Sequence, residues 1–194
     1  DVAHFHQLAV EPSLRGQGLG DRLVAACEAW AAQRGFRAIA LDTDVNGAAL
    51  AEVQWGAAKG AKSALYFTIG TGVGGGAVVD GRILHGQSHP EMGHMRVARH
   101  PADVGPDGAL YKGHCPFHGD CLEGLACGPS IIDRWGASLS DLPADHVGHT
   151  IIAHYLGGMA VTCQALFEPE KIILGGGVMG TPHMLPRIVA AAEA

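Results

Sequence analysis

The segment CPFHGDC spaces Cys115, His118 and Cys121 at successive two-residue gaps. Thiolate and imidazole donors at that spacing converge on one ion, and a mixed sulfur and nitrogen set favours Zn2+ over iron. A closed tetrahedral site needs a fourth donor, and both His94 in EMGHM and the neighbouring His114 are in reach. Such an ion would be structural. It would pin the stretch 86–121, which is rich in Gly, His and Pro, shows no periodicity and has no other evident reason to be ordered.

Three glycine clusters have the composition of phosphate cradles. RGQGLG contributes Arg15, Gly16, Gln17, Gly18 and Gly20 between a strand pattern and a helix pattern. TIGTGVGGG, from Thr68 to Gly76, adds the Thr71 hydroxyl and the amide of Gly72, and LGGGV adds Gly175, Gly176 and Gly177. Consecutive amides in such turns point at an anion, and a following helix adds its dipole. Each is also compatible with a plain tight turn, so the set weighs more than any member. ALDTDVNGAAL then places Asp42 and Asp44 between an apolar strand pattern and a helix pattern. A carboxylate at a strand end, beside phosphate-binding turns, is placed to take a proton from a hydroxyl. Glu91 and Glu123 are further acidic candidates. Spacing leaves open which aspartate is the base.

The elements that must position these residues alternate strand and helix. HFHQLAV, His4–Val10, alternates as a strand, and DRLVAACEAWAAQRG sets Leu23, Val24, Cys27 and Trp30 on one helical face closed by Gly35. FRAIAL is a second strand, so this start reads as a parallel crossover unit. GAALAEVQWGAA reads as a helix, ALYFTI as a buried strand, and AVVDGRIL as a hairpin turning at Asp80-Gly81. Helices follow over Pro129–Trp135 and His146–Phe167; KIILGGGVM reads as a strand and glycine turn, and MLPRIVAAAEA as a final helix. The class is α/β.

With 47% hydrophobic and 16% charged residues, the 194-residue chain is globular, long enough for one good core or two small ones. A net charge of −6 without a basic cluster argues against nucleic acid and anionic membranes as partners. No apolar run is expected to reach the length of a membrane span. The odd count of five cysteines, two of them in the metal pattern, argues against a disulfide framework. A cytoplasmic protein is expected.

Two resemblances extend this reading. LAVEPSLRGQGLGDRLVAACEAWAAQRGFRAIALDT resembles the acetyl-coenzyme A motif of the GNAT acetyltransferases. There the loop cradles the cofactor's pyrophosphate, which implies that role for Arg15, Gly16, Gln17, Gly18 and Gly20. From Asp42 onward the sequence resembles the ROK family of sugar kinases, and its bacterial fructokinase branch in particular. The segments that carry it are DTDVNGAALAEVQWGAAKG, YFTIGTGVGGGAVVDGRILHG, SHPEMGHM, CPFHGDCLEGLACGP and PEKIILGGGVM.

The ROK resemblance implies an actin-like ATPase fold, two-lobed, with ATP in the cleft. It implies Asp44 as the base toward the acceptor hydroxyl, leaving Asp42 as a strand-end residue facing solvent. It implies Asn46, Glu91, His94 and Glu123 as groups that bind sugar hydroxyls. Thr71 and Gly72 would lie against the transferred phosphate, with Gly175, Gly176 and Gly177 on the nucleotide side. The implied zinc ligands are His94, Cys115, His118 and Cys121. His118 stands where many members carry a third cysteine, and Thr43 where glucokinases carry asparagine; both are fructokinase-like features.

No segment matches the family's first phosphate loop, of D-x-G-G-T type, nor its closing strand–helix pair. The chain is therefore expected to be a chimera of incomplete domains, with a GNAT-like β-α-β unit at 1–42 in place of the N-terminal lobe and the ROK region at 43–194. LDTDVN, which suits both families, is the junction. The expected activity is phosphorylation of a hexose, fructose to fructose 6-phosphate, with ATP and Mg2+ and a structural Zn2+. It should be impaired by the lost charge stabilisation at the transferring phosphoryl group. The alternatives are an acetyl-CoA-dependent N-acetyltransferase and a non-catalytic zinc-stabilised module; the expected assembly is a homodimer.

Overall fold

Three consecutive glycines in a strand decide how the main sheet is covered. The computed structural model describes residues 2–5, 17–105 and 107–194. Its main sheet has the order β5-β4-β3-β6, built from β3 (Ala64–Ile69), β4 (Val73–Val79), β5 (Arg82–Ile83) and β6 (Lys171–Gly175). β3 and β4 pair antiparallel around the turn Gly70–Gly72, and β6 runs parallel to β3 with Gly175 opposite Thr68. β4 turns into β5 through Asp80 and Gly81, both at positive φ, as the DG signal predicts.

Gly74, Gly75 and Gly76 thus lie inside β4, and only Gly70–Gly72 of the predicted loop forms the turn. On one face, a Cβ at Gly74 would meet the Val45 side chain, and one at Gly76 would collide with the Val45 carbonyl. On the other, a Cβ at Gly75 would stand 2.6 Å from the Phe67 ring and 2.9 Å from Met92. The glycines therefore let helix α2 (Asp44–Trp55) rest its first turn directly on the sheet backbone.

The opposite face carries the core. Leu65, Phe67 and Ile69 join one apolar cluster with residues of α3 (Leu122–Ala126), α4 (Gly128–Trp135), α5 (Val147–Phe167) and α6 (Met184–Glu193). α3 is the one helix here that the sequence pattern does not announce. α5 corrects the expectation about apolar runs: at 21 residues and mean hydropathy 1.3 it is long and apolar enough to cross a membrane. Ten of its residues are buried in the core, which accounts for that apolarity.

The stretch 86–121 has an anchor besides its metal pattern, contrary to expectation. Asp103, wholly buried, accepts from Arg134 Nη1 at 2.7 Å and from the Tyr155 hydroxyl at 2.6 Å. Arg134 completes its valence on the carbonyls of Ser130 and Leu125, so the pair is desolvated with its donors met. Burial, then the bond to Asp103, pushes the Tyr155 phenol up to about 12.

β1 (Val2–Phe5) pairs parallel with β2 (Ala38–Leu41) in a separate two-stranded sheet, with α1 (Leu19–Gln33) between them in sequence. This is the expected crossover unit, although the rest of the strand expected to Val10 lies outside the described residues. α1 ends in a Schellman cap: Gly35 takes positive φ, its N–H reaches Ala32 O, and the Phe36 N–H reaches Ala31 O. The predicted apolar face is not buried. Leu23 and Trp30 are 37% and 43% exposed, and Ala31 is the one buried residue of this helix.

The glycine strand yields a stability test. Gly76→Ala should cost roughly 1–3 kcal/mol, because α2 must lift off the sheet. Gly158→Ala, in the helix interior with open space at its Cβ, should stabilise by up to about 1 kcal/mol. Urea denaturation of both variants checks the pair; equal midpoints would contradict the close approach.

Candidate active site and metal centre

Asp44 opens α2, where Thr43 caps the helix by accepting the Asn46 N–H at 3.3 Å. Its carboxylate is exposed and accepts only a local bond, from the Val45 N–H at 3.0 Å. It faces a cleft of about 380 Å³ lined also by Thr68, by Gly70–Gly74 and by Glu123. Glu123, in the first turn of α3, accepts from the Val73 N–H at 3.1 Å. A Cβ on Gly72 would stand 2.7 Å from that carboxylate, so the glycine is what lets Glu123 reach the turn.

A second cavity of about 520 Å³ adjoins the first at Gly70 and Thr71. Its wall is largely apolar, with Pro129, Ile131, Leu139 and Val178, and Gly177 at its edge. Of the predicted nucleotide loop, only Gly177 lines the cavity. Gly175 abuts the Tyr66 hydroxyl, and Gly176, at φ +92°, lies against the Ile69 backbone, where no side chain fits. The structure therefore joins a polar cleft bearing Asp44 to an apolar cavity through the turn that carries Thr71.

The predicted sugar-binding residues divide. His94 and Glu123 approach each other, Nδ1 to Oε1 at 3.9 Å. Glu91, exposed at the start of the short turn Met92–His94, is not in the wall of the cleft. Asn46 is fully buried behind Asp44.

Asp42 corrects the sequence reading most clearly. Its side chain is only 6% exposed and does not face solvent. Oδ1 accepts from the Thr43 N–H and from Asn46 Nδ2, each at 2.8 Å, and Oδ2 lies 3.2 Å from His85 Nε2. Burial alone would raise its pKa, but the bonds from Asn46 and Thr43, with His85 and His89 nearby, outweigh it and hold the carboxyl below its ordinary value. The histidines were invisible to motif reasoning, since nothing in their spacing from Asp42 is regular.

The four residues predicted as metal ligands lie together. His94 Nδ1 lies 3.4 Å from Cys121 Sγ and 3.6 Å from Cys115 Sγ, with His118 Nδ1 3.8 Å from Cys115 Sγ. One donor atom from each of the four lies within 4.8 Å of the others. A tetrahedron with Zn–S of about 2.3 Å and Zn–N of about 2.0 Å needs donors roughly 3.3–3.8 Å apart, so the set fits Zn2+. His94, not His114, is the fourth donor in this cluster. The backbone helps: Cys115 and Gly119 exchange bridge hydrogen bonds, and Gly124 packs on the Gly119 carbonyl. In the other predicted loop, Arg15 and Gly16 lie outside the described residues; Gln17, Gly18 and Gly20 are exposed at the start of α1.

Comparison with known proteins agrees with this architecture. The ROK family model matches residues 32–194, and the chain belongs to the ROK family. The acetyltransferase (GNAT) family model matches residues 1–53, so the two overlap on 32–53, across Asp42 and Asp44. The chain is 49% identical over 152 residues to the fructokinase of Zymomonas mobilis, covering 77% of this chain and 49% of that protein. It is 50% identical over 141 residues to a putative fructokinase of Bacillus subtilis, covering 73% of this chain and 45% of that one. The chain thus spans about half the length of the curated relatives it matches. Among solved structures, the ROK hexokinase from Thermus thermophilus superposes with a TM-score of 0.65 at 29% identity, over 81% of this chain and 57% of that one. The fold is accordingly that of the ROK sugar kinases, of the actin-like ATPase type.

The depressed Asp42 carboxyl has a pH signature. A group bound more tightly as the anion stabilises the fold above its unfolded value, here 3.8, and loses that effect as pH falls through the lower folded value. The stability deficit of Asp42→Asn, measured by urea denaturation, should be full above about pH 5 and shrink below it. A deficit independent of pH would show that the charge is not what matters.

Proposed function

We propose that this chain contributes the catalytic base and nucleotide cavity of an ATP-dependent hexose kinase whose acceptor is fructose. The observation that carries this reading is the meeting of the two cavities at Gly70 and Thr71. The apolar cavity suits a purine, the cleft suits a polyhydroxyl acceptor, and the shared turn suits the phosphate that passes between them. The fructokinase relatives support the acceptor.

In the reaction, Asp44 takes the proton of the fructose 6-hydroxyl as that oxygen attacks the γ-phosphorus. The bond from phosphorus to the ADP oxygen breaks, and ADP leaves with its electron pair. Asp44 sits in the first turn of α2, where the helix dipole favours a carboxylate, and among the described residues its hydrogen-bond donor is the local Val45 N–H. The Thr71 hydroxyl and the Gly72 amide are assigned to the transferring phosphoryl oxygens, and Glu123 and His94 to sugar hydroxyls. Mg2+ supplies charge neutralisation on the nucleotide phosphates when bound. His94, Cys115, His118 and Cys121 would hold a structural Zn2+, which would tie the Met92–His94 turn to the Cys115–Cys121 segment and keep His94 beside Glu123.

A second reading is favoured for the N-terminal portion by the acetyltransferase family match. Acetyl-CoA would meet the start of α1 at Gln17, Gly18 and Gly20. Calorimetry with acetyl-CoA tests it, and absence of binding heat removes it.

For the kinase reading, Asp44→Asn should lower kcat for ATP-dependent fructose phosphorylation by about 10²–10⁴-fold while sugar and nucleotide binding persist. Turnover undiminished by the substitution would overturn the assignment of the base. Cys115→Ser and Cys121→Ser should each lose bound zinc, read by elemental analysis, and raise proteolytic cutting within 86–120. Zinc content unchanged in both would refute the ligand set.

A further inference from the structure

Behind Asp44 lies a buried polar cluster that lines neither cavity and that the proposed reaction leaves without a task. Its centre is the Asn46 side chain, fully buried. One face of the amide nitrogen donates to Asp42 Oδ1 at 2.8 Å, and the other meets His89 Nδ1 at 3.3 Å. Thr43 Oγ1, the helix cap, sits 3.5 Å from the same ring nitrogen. The amide oxygen has no partner among the described residues.

Donor chemistry and the shorter of the two contacts to His89 Nδ1, 3.3 Å from Asn46 against 3.5 Å from Thr43, point to one proton arrangement. An ionised carboxylate only accepts, so Asn46 must turn its NH2 toward Asp42; the flipped amide would set oxygen against oxygen. That orientation sends the second amide hydrogen to His89 Nδ1, which must therefore carry a lone pair. His89 is then neutral, with its proton on Nε2. On the outer side, His85 Nε2 lies 3.2 Å from Asp42 Oδ2. The cluster ties the end of β2, the cap of α2 and the loop after β5 into one unit, two residues from the base.

We propose that Asp42 and His89 are positioning residues: Asp42 orients the Asn46 amide, which sets the His89 tautomer, and the three lock the first turn of α2 so that Asp44 faces the cleft. The catalytic consequence rests on the kinase reading; the tautomer does not. Histidine ring 15N NMR at neutral pH should show His89 with an unprotonated Nδ1 and a protonated Nε2, and this preference should be lost in Asp42→Asn. A protonated Nδ1 in the parent protein, or an unchanged tautomer in Asp42→Asn, would overturn the proposal whether or not the chain is a kinase. On the kinetic side, His89→Leu should lower kcat at least about tenfold with KM for ATP unchanged, because only the base is displaced. His89→Gln, whose amide oxygen can still accept from Asn46, should restore most of that loss. Equal kcat in the Leu and Gln variants would mean that His89 merely fills space. No phosphorylation by the parent chain, with the expected tautomer shift present, would sink the kinase reading and leave the cluster's role as an organiser of α2 standing.

Discussion

The contact between the first turn of α2 and the backbone of β4 is the constraint on which the site depends. Gly74 and Gly76 remove the side chains that would hold helix and strand apart, and the Val45 carbonyl occupies the space. A helix set this close presents its N-terminus to the β3–β4 turn, so Asp44 and Thr71 share one cleft. A side chain at either glycine would separate Asp44 from the β3–β4 turn. The same strand uses its third glycine, Gly75, to leave room on the core side for the neighbouring Phe67 ring and for Met92.

The irregular stretch 86–121 is held near its ends and in its middle by different physics. Near Met92–His94 and Cys115–Cys121, four donors converge at metal-binding distances. In the middle, Asp103 reaches into the helical layer and is met by Arg134 and Tyr155. A buried ion pair of this kind contributes little net stability, but removing one partner strands a charge, so it specifies one docking arrangement and penalises the others. The two anchors together place His94 3.9 Å from Glu123 at the edge of the cleft.

Much of the fold was legible because its cues are local. ALYFTI is apolar along its length and forms β3 over the same six residues, and Asp80-Gly81 makes the predicted hairpin turn. The helix expected over His146–Phe167 forms over Val147–Phe167, and the C-x-x-H-x-x-C spacing marks out three of the four clustered donor residues. Illegible were the features set by a distant partner. GVGGG looks the same whether its glycines bind phosphate or admit a helix, and only the position of Val45 decides. The choice of His94 over His114, twenty residues closer to the metal pattern, is likewise a matter of where the chain returns.

The aspartate pair shows the division most plainly. By its own order of residues the chain determines that an acid stands at a helix start beside a glycine turn, that the class is α/β, and that three donors can share an ion. Those are consequences of periodicity and short spacing, which act within a few residues. Tertiary structure alone decides that Asp42 is buried and bonded to Asn46 while Asp44, two residues on, is exposed to the cleft. The physical reason is that a carboxylate's environment is made by groups brought from elsewhere in the chain, here His85 and His89, and no local pattern encodes their arrival.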